Sequence, residues 1–221
     1  MSNIITIGYV TEGTTDKRFL EAIIRKTFEE IAFGCPSLIE VYDPIHIDMC
    51  LGDTYVAQVE ATASEAYSKG ISVLCIHVDS DSAKDINVMK NKILPAFNNV
   101  ENIQDQRLCK NLVALIPMQM SEAWMLADKN LFKEEVGTNL SDEDLGINKK
   151  PELFADPKGV IEEALRRAQI QLPRRRNKIL ISDIYQPIGQ KLSLQSLSLV
   201  PSFVRFREGV KQAYVKLNFL H

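Results

Sequence analysis

Between Ile71 and Val78 the chain reads Ile-Ser-Val-Leu-Cys-Ile-His-Val, an almost unbroken apolar run. A strand with this pattern is covered on both faces, which is the condition of a central strand in a parallel sheet. Ile4-Ile5-Thr6-Ile7-Gly8-Tyr9-Val10 and Leu112 to Ile116 are two further runs of the same kind. Helical patterns separate them. From Asp16 to about Ala32, the residues Phe19, Leu20, Ile23, Ile24, Phe28 and Ile31 recur at three- and four-residue spacing, enough to cover a sheet face. Further helices are expected from about Tyr55 to Ser68, stopped at Lys69-Gly70, and from about Ile86 to Phe97. Leu38 to Tyr42 and Ile45 to Ile47 read as one strand interrupted at Asp43-Pro44. Strand and helix alternate up to Pro117, so the expected class is α/β with a doubly wound, mainly parallel sheet.

Beyond Pro117 the pattern becomes helical. Ser121 is placed to cap a helix carrying Glu122 to Asp128, and Trp124 in it is expected in the core. Residues from about Lys133 to Phe154 are polar and expected to be irregular. Asp156-Pro157 starts a helix that runs to about Ala168, by a capping side chain and a proline in the first turn. Another helical stretch is expected between Lys178 and Gln186, and a last helix from Pro201 buries Phe203, Phe206, Val210, Ala213, Tyr214 and Leu217. Residues 1–130 are therefore assigned to an α/β core. Residues 131–221 are assigned to a helical appendage packed on it, as a second domain or as part of one.

The bulk properties exclude several classes. No apolar run approaches the roughly 20 residues that cross a bilayer, and the N-terminus lacks the basic-then-apolar pattern of a signal peptide. Cys35, Cys50, Cys75 and Cys109 are scattered without CxxC spacing, which argues against structural zinc and against a dense disulfide framework. A reducing cytoplasm is the expected location. A net charge of −3 gives no general attraction to nucleic acid. A nucleic-acid enzyme with this balance needs a local basic patch, a bound cation or a basic partner.

Two acidic stretches follow the strands: Glu12-Gly13-Thr14-Thr15-Asp16 and Asp79-Ser80-Asp81. In an open α/β sheet, ligands bind beyond the carboxyl ends of the strands. Residues two apart in an extended segment point the same way, so Asp79 and Asp81 face one pocket. If the two strands are parallel neighbours, Glu12 joins them. Three clustered carboxylates repel one another unless a cation lies among them, and an oxygen-only donor set suits Mg²⁺ or Mn²⁺.

Val10-Thr11-Glu12-Gly13-Thr14-Thr15-Asp16 and Val78-Asp79-Ser80-Asp81 resemble the two signature motifs of the Toprim fold. Topoisomerases, bacterial primases, recombination-mediator proteins and the overcoming-lysogenisation-defect nucleases share that fold. The resemblance implies an acid–base or metal-supporting role for Glu12 and Mg²⁺ ligation by Asp79 and Asp81. Many Toprim domains place a glycine shortly after the aspartate pair, whereas Ser82, Ala83 and Lys84 stand here. Met120 to Asp128 also resembles the EAW-x-LAD segment of an uncharacterised bacterial Toprim-like family. Asp156-Pro157-Lys158 and Ser202-Phe203-Val204-Arg205-Phe206 are similar to further segments of that family.

Other polar residues carry two readings each. Glu122 is either a further metal ligand or a helix-start acid favoured by the dipole. Six residues on, about 600° round a helix, Asp128 faces elsewhere and is an exposed acid or a cap. Arg174-Arg175-Arg176 with Lys178 is either a solvated face or a phosphate clamp. Lys84 is placed to neutralise a phosphate beside the metal, and Lys17 and Arg18 are weaker phosphate contacts. His46 and His77 read as packed or surface histidines.

The leading expectation is a Mg²⁺- or Mn²⁺-dependent Toprim-type nuclease acting on DNA or RNA. Absence of strand-passage domains and of a zinc motif speaks against topoisomerase and primase activity. The alternative is a non-catalytic module that binds nucleic acid or a partner. By resemblance to the overcoming-lysogenisation-defect group, that partner is a separate ATPase and the setting phage defence.

Overall fold

The computed structural model describes residues 3–80, 85–170 and 178–220. Strand β1 (Asn3–Ile5) continues into β2 (Ile7–Val10), and β3 (Ile39–Val41) into β4 (Ile45–His46). With β5 (Val73–His77) and β6 (Leu112–Leu115) they form a wholly parallel arrangement. β1 pairs with β3, and the larger sheet has the order β4-β2-β5-β6. All carboxyl ends therefore lie along one edge. The interruption at Thr6 is bridged by side chains: its backbone N–H donates to Ser72 Oγ at 2.9 Å, and the Ser72 N–H donates to Thr6 Oγ1 at 3.0 Å.

Helices cover both faces because successive strand residues point opposite ways. On one side Ile5, Ile7, Tyr9, Val73, Cys75, Val113 and Leu115 are buried under α1 (Thr14–Phe33), α9 (Ile181–Lys191) and α11 (Pro201–Lys216). On the other, Val10, Leu74, Ile76 and Val78 are buried under α2 (Tyr55–Ser68) and α4 (Leu94–Asn102). β5 is buried at every residue, as its apolar run requires. The α2 helix begins where the Thr54 hydroxyl accepts from the Ala57 N–H, and it stops before Gly70, whose φ of 72° is left-handed.

Between β5 and β6 the helical stretch is longer than its apolar pattern suggests. It consists of α3 (Asp85–Val88), a π-helical turn (Met89–Ile93) and α4. In the C-terminal part the expected irregular region contains α6 (Lys129–Val136) and α7 (Asp142–Leu145). The helix expected to run from Glu122 to Asp128 is the four-residue α5 (Glu122–Met125), because Asp128 leaves the helical path to cap α6, accepting from the Leu131 N–H at 3.0 Å. α8 (Pro157–Ile170) and α10 (Leu194–Leu197) complete the set.

The C-terminal helices share the core of the sheet. One apolar cluster runs from Ile5 and Phe19 through Trp124 and Phe132 to Tyr214. Trp124 donates its indole N–H to Ser202 Oγ at 2.7 Å and stands edge-on to Phe203, with ring centroids 5.5 Å apart. The EAW segment and the Ser202–Phe206 segment thus meet, 78 residues apart in the chain.

α1 and α9 pack closely at Gly189, where an added Cβ would stand 2.7 Å from the Phe19 carbonyl oxygen. Lys26 reinforces this contact by donating to the Gly189, Gln190 and Leu192 carbonyls at the end of α9. Gly189→Ala is expected to push the helices apart. Overpacking costs about 1–3 kcal/mol, partly offset by the roughly 1 kcal/mol that alanine gains over glycine in a helix. A urea melt checks it: unchanged stability would mean that α9 yields there.

Candidate functional site

Glu12 follows β2 and projects from the carboxyl edge with its side chain 46% exposed. Its Oε1 lies 3.2 Å from Lys92 Nζ, which comes from the π-helical turn. The same ammonium sits 4.7 Å from the centre of the Tyr55 ring, at the start of α2. Burial and then the negative charge of Glu12 push the Tyr55 phenol well above its ordinary range. The Tyr55 hydroxyl is buried and has no hydrogen-bond partner.

Asp79 follows β5, two residues after His77, so the alternation of the strand turns both to one side. His77 Nε2 stands 3.2 Å from Asp79 Oδ1. The separation is that of an ion pair, yet neither His77 nitrogen nor Asp79 Oδ1 has a hydrogen-bond partner. Directionality decides a hydrogen bond, so this contact is proximity only. Asp79 Oδ1 is a buried acceptor with spare capacity, and such atoms in native folds call for an explanation such as an ion or ordered water. Asp81 and Lys84 lie outside the described residues, as do Arg174, Arg175 and Arg176.

Glu122 opens α5 after β6 and is 6% exposed. Its Oε1 accepts the Tyr185 hydroxyl from α9. The Ser121 hydroxyl, expected as a helix cap, makes no capping bond. It donates instead to Asp16 Oδ1 at 2.5 Å and lies 3.4 Å from Glu122 Oε2. Asp16, in the first turn of α1, is 7% exposed. Two buried carboxylates from different elements are therefore joined through Ser121 and closed by Tyr185. Burial, and then the bond to Glu122, push the Tyr185 phenol far above its usual value, so it is a committed donor at any physiological pH.

Tyr185→Phe removes that donor and leaves a buried carboxylate oxygen unsatisfied. A loss of about 1–3 kcal/mol in unfolding free energy is expected. Thermal and urea melts read it, and a variant as stable as the parent would show that water takes the hydroxyl's place.

The fold thus brings Glu12, Asp79 and Glu122 to one edge of the sheet, each with separate neighbours. Among the described residues no group of three or more His, Cys, Asp or Glu side chains gathers to hold a metal ion. Lys92, Tyr55 and Tyr185 escape reading from the sequence, as do the contacts of Asp16 with Ser121 and of His77 with Asp79. Among the described residues a groove of about 730 Å³ lies along α1 and α9 and does not include the three acids. It is lined by Lys17 and Arg18. Its other cations are engaged: Arg25 pairs with Glu29 at 2.8 Å and Asp43 at 2.6 Å, and Lys26 holds the end of α9.

Comparison with protein-family models, with curated proteins and with solved structures finds no match. No helix among the described residues is long and apolar enough to cross a membrane.

Proposed function

We propose that the carboxyl edge of this sheet is the site of a divalent-metal-dependent nuclease of Toprim type that hydrolyses nucleic-acid phosphodiesters. The observation that carries the reading is the acceptor left open at Asp79 Oδ1, at the end of the central strand and at the same sheet edge as Glu12. An unpaired, largely buried carboxylate oxygen suits a hard cation such as Mg²⁺ or Mn²⁺. Asp79 would hold it with Asp81, and Glu122, its Oε1 taken by Tyr185, would offer Oε2 to a second ion. When bound, such an ion supplies positive charge to a phosphoryl oxygen and acidifies its water.

The chain's own groups divide the remaining work. Glu12 is half-exposed and reaches solvent, so it can take a proton from an attacking water or give one to a leaving oxygen. The Asp16–Ser121–Glu122–Tyr185 network fixes the start of α5 against α1 and α9, which holds the Glu122 carboxylate in one orientation.

Cleavage of labelled single- and double-stranded DNA and of RNA, with Mg²⁺ or Mn²⁺ and with a chelator, tests the reading. Chelation and the double substitution Asp79→Ala, Asp81→Ala should each abolish cleavage. Cleavage unchanged in the double variant would remove the site assignment. Binding without cleavage of any substrate would favour the alternative, a non-catalytic module working with a partner such as an ATPase.

A further inference from the structure

Three consecutive strand–helix units each send one side chain to the same point. Glu12 follows β2, Tyr55 opens the helix after β4, and Lys92 lies in the helical segment after β5. Lys92 Nζ is 3.2 Å from Glu12 Oε1 and 4.7 Å from the Tyr55 ring centre. Lys92 stands on a π-helical turn, a local widening that costs regular hydrogen bonding and is frequent at functional sites. Its side chain is 39% exposed, and an ion pair so open to water adds little to stability. Stability therefore does not account for the turn or for the pairing.

Among the described residues, Lys92 is the one lysine or arginine paired with Glu12, Asp79 or Glu122. A phosphodiester approaching these acids meets like charge and needs a cation beside them. Lys84 and Arg174–Arg176, the phosphate contacts expected from sequence, lie outside the described residues. We infer that Lys92 is a phosphate-binding residue of the site, held over the Tyr55 ring and paired with Glu12 until a backbone phosphate of the nucleic acid takes its ammonium.

The exchange leaves Glu12 free of its counter-ion at the moment when substrate is bound. Tyr55 provides the second, independent sign. Its hydroxyl is a buried donor without an acceptor, and a phosphate oxygen beside Lys92 supplies one. The Lys92 ammonium stands over the ring face, and attraction to the ring limits the positions it can take. The inference rests on the reading of the site as one that takes nucleic-acid phosphodiesters.

The test uses the full chain, a fluorescein-labelled oligonucleotide and EDTA, so that binding is measured without turnover. Affinity is followed from low to moderate salt for the parent, Lys92→Met, Lys92→Arg and Tyr55→Phe. Cleavage of the same oligonucleotide is followed separately with Mg²⁺. Lys92→Met should weaken binding uniformly and lower the slope of log affinity against log salt by about 1. Lys92→Arg should restore the slope, and Tyr55→Phe should weaken binding at an unchanged slope. Parental cleavage together with an unaltered slope in Lys92→Met would overturn the phosphate contact and leave the nuclease reading standing. A lowered slope in a protein that never cleaves would support the contact and overturn hydrolysis. No binding by the parent in EDTA together with no cleavage in Mg²⁺ would overturn both.

Discussion

Trp124→Ala is expected to lower the unfolding free energy by about 3–5 kcal/mol, the range for emptying a large aromatic site in a core. Trp124 is 0% exposed, so no part of the space it leaves opens to water. Its ring contacts Phe203 and Phe206 from α11, and its N–H satisfies Ser202, whose backbone N–H in turn donates to Glu152 Oε1 at 2.9 Å. The substitution would therefore empty a cavity and leave a buried hydroxyl unpaired. Glu122 is two residues before Trp124 on the same short helix, so α5 and the site should loosen together. At this chain length each kcal/mol moves the melting temperature by roughly 2–4 °C, which predicts a fall of about 6–20 °C. Trp124→Phe separates the terms, keeping most of the ring volume but losing the bond to Ser202. A fall of less than about 1 kcal/mol for the alanine variant would mean that α11 closes over the gap.

The parts of the fold that follow from local pattern are legible in the sequence. The bounds of α2 are readable because Thr54 caps it and Gly70 takes a left-handed φ beyond its end. The apolar run of β5 reports burial on both faces, and Asp43-Pro44 marks the break between β3 and β4. α6 is hidden by its own surface. Of its eight residues only Phe132 and Val136 are buried, and the polar remainder reads as loop, although Gly137 at φ 73° marks its end. At the site, Glu12 and Asp79 are legible because strand ends in a parallel sheet point to one edge. Their partners are not. Lys92 lies 80 residues from Glu12, and Tyr185 lies 63 residues from Glu122. Such pairings are products of helix packing, and no local pattern encodes them. Ser121 illustrates the competition. As a serine before a helix it reads as a cap, but the buried Asp16 carboxylate is the stronger acceptor and takes its hydroxyl.

Asp79→Asn is expected to lower metal-supported cleavage by at least about a hundredfold, or about 2.7 kcal/mol in the barrier, while the fold is kept. The substitution changes charge and leaves size alone. Asp79 makes no hydrogen bond through Oδ1, so the fold loses no partner there. It also stands 3.2 Å from His77, and an amide at that distance can donate to an imidazole nitrogen that is now unpaired. Stability should therefore be equal to the parent's or slightly higher. A hard divalent cation, by contrast, discriminates strongly against a neutral amide in place of a carboxylate. Mn²⁺ affinity, read by electron paramagnetic resonance without substrate, should fall in parallel with the cleavage rate. This pairing of outcomes separates a metal ligand from a structural acid, because a structural acid would lose stability and keep its affinity for the ion. A variant that melts lower, binds Mn²⁺ as the parent does and still cleaves would move the cation site away from the end of β5.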